Sequence, residues 1–350
     1  MQQAGKEFGV RFVLNGSILS SGDKLRITAQ LTDTLSGKQL WTETLYHELG
    51  DLLANLDGAA GTFGDGIAQV MSVVVNREVE RRKSSPTYAE LMIRADIMGW
   101  DSVKREHLDK MESLFRQAVA LEPPDKRGAK LGLAATLAMI LGANYITEES
   151  AREKAWTEAR DLVSRAKAIG PDTWGTNFVT YRYARDHGDP LGARVALETW
   201  IAREPTNWYP QTHMGYLLLR TGEPQKALEI LTKVNADATR TDPNRPFEFV
   251  ISSMAGVYMH LGDNDASLKW AIKAAQMFPT RYTYWDLALA YTLIGEDARA
   301  REAVANLLQL DPEFKISTHP DKPRPGDSAA FREFWEKKEV PSLRKAGLPE

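Results

Sequence analysis

The sequence predicts a mostly α-helical protein, in which an array of helix pairs follows a small α+β unit. Glycines recur at intervals of 34, 40 and 33 residues, at Gly188, Gly222, Gly262 and Gly295. Prolines keep nearly the same interval, with 34 residues from Pro171 to Pro205 and 33 from Pro279 to Pro312. Residues 11–20 are instead rich in valine, leucine and isoleucine, and residues 25–33 alternate apolar and polar side chains, as strands do. These observations predict repeated helix pairs after a short antiparallel sheet.

The last interval holds small, aromatic and proline residues at fixed offsets: Tyr284, Leu287, Ala288, Tyr291, Gly295, Ala300, Val304, Leu307 and Pro312. This pattern matches the tetratricopeptide repeat, a helix pair of about 34 residues in which small residues let the two helices approach closely. Three earlier intervals share this pattern. The one around Gly262 has Met254, Ala255, Tyr258, Ser267, Ala274 and Pro279, and the one around Gly222 has Gly215, Leu218, Ala227 and Leu231. The one around Gly188 has Tyr181, Ala184, Ala193, Leu197, Trp200 and Pro205. An insertion at 239–246 explains the interval of 40.

Two less regular units precede these four. Gly99, Phe115, Ala118 and Pro123 hold the offsets of one, and residues 126–171 form a second, with helices near 127–141 and 150–169. We therefore predict a repeat array of about six helix pairs over residues 86–314, the last four being the clearest. A plain helical bundle is disfavoured because bundles do not repeat glycine and proline at a fixed period. Residues 315–350 are predicted to be a tail with a capping helix.

The composition of the sequence excludes several classes of function. The 350 residues are 43% hydrophobic and 26% charged, as in soluble globular proteins, and the length favours about two domains. A net charge of −3 gives no reason to expect nucleic acid, which requires clustered Lys and Arg. With no cysteine, disulfides and thiolate metal sites are excluded. The apolar stretch 131–143 is too short for a membrane span, which needs about 20 residues. We expect a cytoplasmic chain, or a periplasmic one if it belongs to a membrane-bound regulator.

The first 84 residues are predicted to be a separate domain. Strands at 11–20, 25–33 and 39–46 form a meander, and a helix over 52–82 is expected to cover it. Glycines at 58, 61, 64 and 66 weaken that helix. A sheet of three strands leaves an outer strand without a partner, so we expect a truncated domain whose free edge offers a route to homo-oligomers.

Two segments of this domain carry a resemblance. The runs Gly5–Ile18 and Gly22–Asp33, followed by Gly37 and Leu40–Glu43, resemble the TolB-like domain of many proteobacterial proteins, and Leu343–Glu350 matches the closing pattern of the same family. Such proteins carry tetratricopeptide repeats after the TolB-like domain, as this sequence does. The glycines between 58 and 66 depart from the family, in which a regular helix stands there.

The resemblance implies an effector domain upstream, either a class III adenylate or guanylate cyclase or a winged-helix DNA-binding domain. Neither lies in this sequence, so no catalytic residue is transferred and the chain is expected to be non-catalytic. The leading interpretation is the C-terminal portion of a cyclase-type signalling protein. The alternatives are the sensor region of a membrane-bound winged-helix regulator and a free-standing repeat scaffold.

Each candidate motif for catalysis, metal binding or a cofactor lacks a residue that the motif requires. Gly37-Lys38 lacks the glycine and hydroxyl of a phosphate loop, and Asp51 replaces the second histidine that a zinc-protease motif starting at His47 requires. The other histidines lack ligand spacing. We therefore expect no catalytic residues, no metal and no cofactor.

A repeat array does present a concave surface, formed by the first helix of each pair. Projection of the repeat positions that face this groove gives the candidate site: Arg182, Arg185, Tyr209, Thr212, Tyr216, Arg220, Phe249, His260, Tyr282 and Trp285. Aromatic rings beside cations suit an extended peptide or its carboxylate. The predicted partner is therefore a protein or peptide segment. On this interpretation Arg220 is exposed and contributes little to stability; the alternative is that the aromatic side chains, Trp285 in particular, pack between neighbouring units.

Overall fold

The computed structural model describes residues 2–50, 85–98, 104–171, 173–205, 207–241, 248–319 and 322–350, with single positions between 67 and 79. The chain divides into two compact units. One comprises Met1–Ser102 and Asp109–Pro124, and the other Val103–Leu108 and Asp125–Glu350. The predicted helix over 52–82, with its glycines, lies largely outside the described residues, as does Gly99 of the first predicted repeat.

The first unit contains the predicted meander. After a short helix α1 (Gln2–Phe8), which the sequence analysis did not predict, come strands β1 (Phe12–Ser21), β2 (Lys24–Asp33) and β3 (Gln39–Glu48), antiparallel in the order β1-β2-β3. Gly22 takes a left-handed φ of 60° in the two-residue turn between β1 and β2, which closes the predicted hairpin. Among the described residues β1 and β3 are outer strands, and the pairing of another chain with either edge stays a prediction.

Thr34 holds the start of the sheet together. Its hydroxyl donates to the carbonyls of Val10 and Arg11, both at 2.8 Å, and its amide donates to the Arg11 carbonyl at 2.7 Å. A side chain at Gly5 of α1 would overlap Thr34, so α1 lies directly against this turn. The same unit includes α2 (Tyr88–Ile97), whose N-terminus is capped by Thr87 and Glu90 in a capping box.

The remaining helices are α3 (Arg105–Leu121), α4 (Gly128–Gly142), α5 (Glu149–Lys167), α6 (Trp174–Asp186), α7 (Pro190–Arg203), α8 (Trp208–Arg220), α9 (Pro224–Thr241), α10 (Glu248–Leu261), α11 (Asn264–Met277), α12 (Arg281–Leu293) and α13 (Asp297–Leu310). From α4 to α13 each helix packs on the next, and first helices of neighbouring pairs also contact one another, α6 and α8 through Tyr181 and His213. Within the described residues these ten helices form five pairs, and the fold is the predicted helical-repeat array after a sheet.

Turn glycines explain why the pairs repeat. Gly188, Gly222, Gly262 and Gly295 have φ between 71° and 90°, a left-handed conformation that favours glycine. At each of them the next residue donates its amide back to the last turn of the helix, for example Asp189 to Ala184 at 2.9 Å and Glu296 to Tyr291 at 2.9 Å. This bond is part of the Schellman motif that ends a helix. The periodic glycines therefore stop the first helix of each pair.

Small residues set the distance within a pair. Ala193, Ala227, Ser267 and Ala300 are fully buried at equivalent positions of the second helices. A side chain at Gly215 of α8 would come within 2.8 Å of Leu231 on α9. These positions match the small residues that the repeat pattern predicts.

The tail completes the second unit. A short 3₁₀ turn (Ile316–Thr318) precedes helix α14 (Ala329–Phe334), a π-helical turn (Trp335–Glu339) and α15 (Val340–Lys345). Its apolar side chains join the core of the last repeats, with Phe314, Trp335, Leu343 and Leu348 buried beside Trp285. The tail thus packs into the core of the last repeats, and its role as a cap stays a prediction.

Candidate functional site

The tail lies on the inner face of the repeats, which we define as the surface of α6, α8, α10 and α12 that residues 315–348 contact. The part that follows the 3₁₀ turn and includes the first turn of α14, residues 322–331, is here named the strap. It passes the ends of α6 and α8 and continues into α14 beside α10. The candidate groove predicted from the sequence is therefore already in contact with a segment of the same chain.

Arg220, the last residue of α8, binds the strap most extensively. Its Nε donates to Asp327 Oδ1 at 2.9 Å and its Nη2 to Asp327 Oδ2 at 2.5 Å, a bidentate pair. Nη2 also donates to the carbonyl of Lys322 at 3.1 Å, and Nη1 to the Tyr216 hydroxyl at 2.7 Å. The Arg220 carbonyl in turn accepts the amide of Ser328 at 2.8 Å. Arg220 is only 1% exposed, so these bonds satisfy a cation that is almost fully removed from water.

Asp186 is the corresponding last residue of α6, and it carries the opposite charge. Its carboxylate lies 3.6 Å from Arg324 of the strap and also pairs with Arg185 at 3.3 Å and Arg152 at 3.4 Å. Burial favours the neutral acid, but the cations outweigh this effect and lower the pKa of Asp186 to about 2. Burial also lowers the pKa of Arg324 to about 10, which leaves the side chain charged at neutral pH.

Equivalent positions of three successive repeats therefore meet successive parts of the strap. Asp186 meets Arg324, Arg220 meets Asp327, and His260 of α10 stacks on Phe331 with ring centroids 5.1 Å apart and planes 6° apart. The first two positions, Asp186 and Arg220, carry opposite charges, and each faces a strap residue whose charge is opposite to its own. This alternation fixes the register of the strap along the repeats.

The turn glycines contribute to the same contact. A side chain at Gly188 would meet Pro325 at 2.6 Å, and one at Gly222 would meet Ser328 at 3.1 Å. Glycine at these turns thus serves two purposes, since it adopts the left-handed φ and also leaves room for the strap.

Trp285 of α12 anchors the other end of the tail. His319 stacks on its ring at 3.8 Å, and Trp335 lies parallel at 5.9 Å. The indole Nε1 donates to Glu339 Oε1 at 2.8 Å. At 2% exposure, Trp285 is a packed side chain and does not line an open groove, in agreement with the packing alternative of the sequence analysis.

Burial separates five of the ten predicted groove residues from the rest. Five are at most 9% exposed: Arg185, Thr212, Tyr216, Arg220 and Trp285. Thr212 donates to the Trp208 carbonyl on its own helix, at 2.9 Å. The expectation that Arg220 is exposed is wrong, because the strap covers it, and the ground for expecting a small contribution to stability goes with it. His260 is half-buried beneath Phe331 and Phe334, where burial and the nearby cations Arg220 and Lys338 lower its pKa to about 4.

The other four predicted residues keep part of their surface exposed: Arg182, Tyr209, Phe249 and Tyr282. We call these four residues the open strip. His213 links two of them, since its ring lies 4.6 Å from Tyr209 and 4.8 Å from Phe249. Tyr282 is 6.2 Å from His319 of the tail, so the open strip runs beside the tail.

Sequence reasoning missed Asp186, Arg324, Asp327 and the strap itself. The repeat pattern specifies small and aromatic packing residues, and it carries no information on which charged residue ends a helix. One signal was available in the tail, where Lys322–Ser328 combines two prolines, a glycine and opposite charges in seven residues. Such a segment favours an extended or turning chain and brings little apolar surface of its own.

Within the described ranges, no helix is both long and apolar enough to cross a membrane. The same residues contain no cluster of three histidine or acidic side chains arranged to hold a metal ion.

Comparison with known proteins gives one distant relative and a well-matched fold. No family model matches the chain. Over 96 residues it is 29% identical to "Putative adenylate cyclase 3" of Rhizobium meliloti (strain 1021), a match that covers 27% of this chain and 16% of that protein. Among solved structures, "Crystal structure of APC/C hetero-tetramer Cut9-Hcn1" superposes with a TM-score of 0.56 at 13% identity, over 80% of this chain and 46% of that one. A thermophilic tetratricopeptide protein of Thermus thermophilus aligns with a TM-score of 0.41 at 20% identity, over 51% of this chain and 92% of that one.

The superposition on the Cut9–Hcn1 structure shows the fold. Together with the turn glycines and buried small residues, it identifies residues 128–310 as helical repeats of the tetratricopeptide type. The chain spans about one sixth of the length of the curated relative, and the match is too short to assign the family.

Proposed function

We propose that this chain binds an extended protein segment along the inner face of its repeats and serves as the non-catalytic, regulatory part of a cyclase-type signalling protein. The observation that carries the proposal is the strap. A stretch of chain rich in proline and charge lies on this face, with a buried bidentate ion pair, backbone hydrogen bonds and ring stacking. These are the interactions by which a repeat surface recognises a segment of another protein.

The open strip is the part of the face that a partner would use. Its aromatic rings offer large contact areas with few rotatable bonds, and Arg182 adds a cation. The buried residues next to it are held by the strap, so the strip is a preorganised surface. Preorganisation lowers the entropic cost of binding.

Site-specific photo-crosslinking tests the binding site. We would place a photoreactive phenylalanine analogue at Tyr209 and, separately, at Phe249, and identify the crosslinked peptide by mass spectrometry. Val195 of α7, which is 53% exposed, provides the control position. The proposal predicts one partner segment, captured from both strip positions and not from Val195. Equal capture at Val195, or unrelated peptides at the two strip positions, would contradict it.

The link to a cyclase rests on the 29% identical match and on the resemblance to TolB-like proteins that carry repeats. Two observations test it. Purified chain incubated with ATP or GTP and divalent metal should form no cyclic nucleotide, whereas saturable turnover would overturn the non-catalytic role. The coding sequence upstream of Met1 is expected to encode a cyclase domain; a winged helix with a membrane span would instead support a membrane-bound regulator, and an intergenic region a free-standing scaffold.

A further inference from the structure

Arg182 differs from the other arginines of the inner face. It lies in the middle of α6, and its guanidinium rests on the backbone of α4 at Gly142, where any side chain would overlap Nη2. The absence of a side chain at Gly142 thus creates the space that the guanidinium occupies. The side chain is half-buried, with the Phe178 ring 5.9 Å away.

Among the described residues, Arg182 forms no hydrogen bond and no ion pair, and its Nε is buried without a hydrogen-bond partner. The nearest acid of the cluster, Asp186, already faces Arg152, Arg185 and Arg324. Burial and the charge of Arg185 both lower the pKa of Arg182. A half-buried guanidinium without an ion-pair partner of its own is costly, and an anion that reaches it would reduce that cost.

Tyr209 on α8 adds a second donor. The Phe178 ring, which lies 5.9 Å from the Arg182 guanidinium, is also 6.1 Å from the Tyr209 ring, so Arg182 and Tyr209 both flank Phe178. Burial raises the pKa of Tyr209 to about 12, so the hydroxyl stays protonated at physiological pH and can donate a hydrogen bond. The two side chains together present a cation and a neutral O–H donor, and neither carries a negative charge that would repel an anion.

We propose that Arg182 and Tyr209 form a subsite for a phosphoryl group, either free phosphate or a phosphorylated side chain of the bound segment. The planar fork of arginine fits the oxygens of such a group, which carries nearly two negative charges at neutral pH. Asp186 lies one helical turn after Arg182, and its one negative charge is shared by Arg152, Arg185 and Arg324, so the excess of positive charge among these described residues favours a dianion over a single carboxylate. This inference rests on the proposed function only where it assigns the phosphoryl group to a protein segment.

The test uses the full chain with inorganic phosphate, O-phosphoserine and, as the carboxylate probe, glutamate, all at matched ionic strength. Isothermal titration calorimetry gives the dissociation constants. We expect phosphate and O-phosphoserine to bind one site with similar affinity, and glutamate to bind at least tenfold more weakly. Arg182→Gln, which removes the charge and keeps much of the side-chain length, should weaken phosphate binding at least tenfold. Tyr209→Phe should weaken it severalfold.

The matched control is Arg165→Ala, because Arg165 is a surface arginine on α5 with its side chain 54% exposed. This variant should bind phosphate as the parent chain does. Gly142→Ala offers a second route to the same site, since the methyl group displaces the guanidinium while Arg182 itself remains; phosphate binding should fall as in Arg182→Gln. Circular dichroism and melting temperature establish that each variant is folded.

Three results would overturn the subsite: phosphate binding unchanged in Arg182→Gln, equal losses in Arg165→Ala, or glutamate as tight as phosphate. The proposed function fails separately, through the crosslinking at Tyr209 and Phe249. Phosphate binding without a crosslinked segment would retain the subsite for free phosphate and reject its place in segment binding. Crosslinking without phosphate binding would retain the function and reject the subsite.

Discussion

The three-stranded sheet and the helical repeats bury their side chains to very different extents. In the strands, three apolar residues are buried, Leu25, Ala29 and Leu31, while Ile18 and Tyr46 remain 66% and 74% exposed. The repeats bury entire rows of alanines together with Trp156, Trp200 and Trp285 at 2% exposure or less. The sheet is therefore held chiefly by its backbone ladders, and the repeats by side-chain packing. The inner face and its tail share one core with the repeats, whereas the described sheet has little core of its own.

The largest expected effect is the loss of Trp285. Trp285→Ala vacates a position between His319 and Trp335 and removes the hydrogen bond to Glu339, so we expect the free energy of unfolding to fall by about 3–5 kcal/mol. Trp270→Ala, at a partly buried position of α11, is the matched control and should cost less. Denaturant unfolding measures both. Similar losses in the two variants would show that the tail adds nothing to the burial of Trp285.

A pH dependence of similar size is expected from His260. Its pKa in the folded protein is about 4, below the ordinary value of 6.5, so the unfolded chain binds a proton more readily between these values. Stability should therefore fall as pH decreases from 6.5 to 4, by about 3 kcal/mol at 1.36 kcal/mol per pH unit. Burial between Phe331 and Phe334 is the main cause, and the cations Arg220 and Lys338 add to it.

Unfolding measured across this pH range checks the prediction, with His260→Gln as the comparison. The variant lacks the titrating group, so its stability should depend less steeply on pH. Parallel curves for the two proteins would contradict the account of the contact between His260 and the tail.

The smallest expected effect is a difference in amide hydrogen exchange between the sheet and the repeats. Amide protons of residues 12–48 are expected to exchange at least tenfold faster than those of α8, α10 and α12, because outer strands and sparse burial lower the free energy of local opening. A factor of ten corresponds to about 1.4 kcal/mol. Hydrogen exchange followed by mass spectrometry gives both sets of rates from one sample. Uniformly slow exchange would mean that the sheet has a cover that its described residues do not show.

Much of this fold could be predicted from the sequence because its turns and close contacts need particular residues. Glycine at 188, 222, 262 and 295 follows from the left-handed φ, and alternation of apolar residues placed the three strands. The inner face was predicted less well. Repeat positions assign Tyr209, Phe249 and Arg220 to one side of the array, but the pattern had no means to show that the tail covers Arg220. That contact joins residues 107 positions apart through charges that belong to no repeat consensus.

Helix α1 was missed for a related reason. It is short, its sequence has no apolar period, and its position depends on the fit of Gly5 against Thr34, which is a tertiary contact. Local propensity rarely specifies such a helix.

The coupling between Arg220 and Asp327 tests the central claim most directly, since that claim is that the inner face recognises a segment by matched charges. Unfolding free energies would be measured for Arg220→Ala, Asp327→Ala and the double variant, with Arg165 and Asp161, an exposed pair at 3.5 Å, as the control cycle. Each single variant at the buried pair leaves one charge without its partner and should cost about 3 kcal/mol, whereas the double variant should cost clearly less than the sum. The control pair should couple by less than about 1 kcal/mol. Additive losses at Arg220 and Asp327, within about 0.5 kcal/mol, would contradict the account.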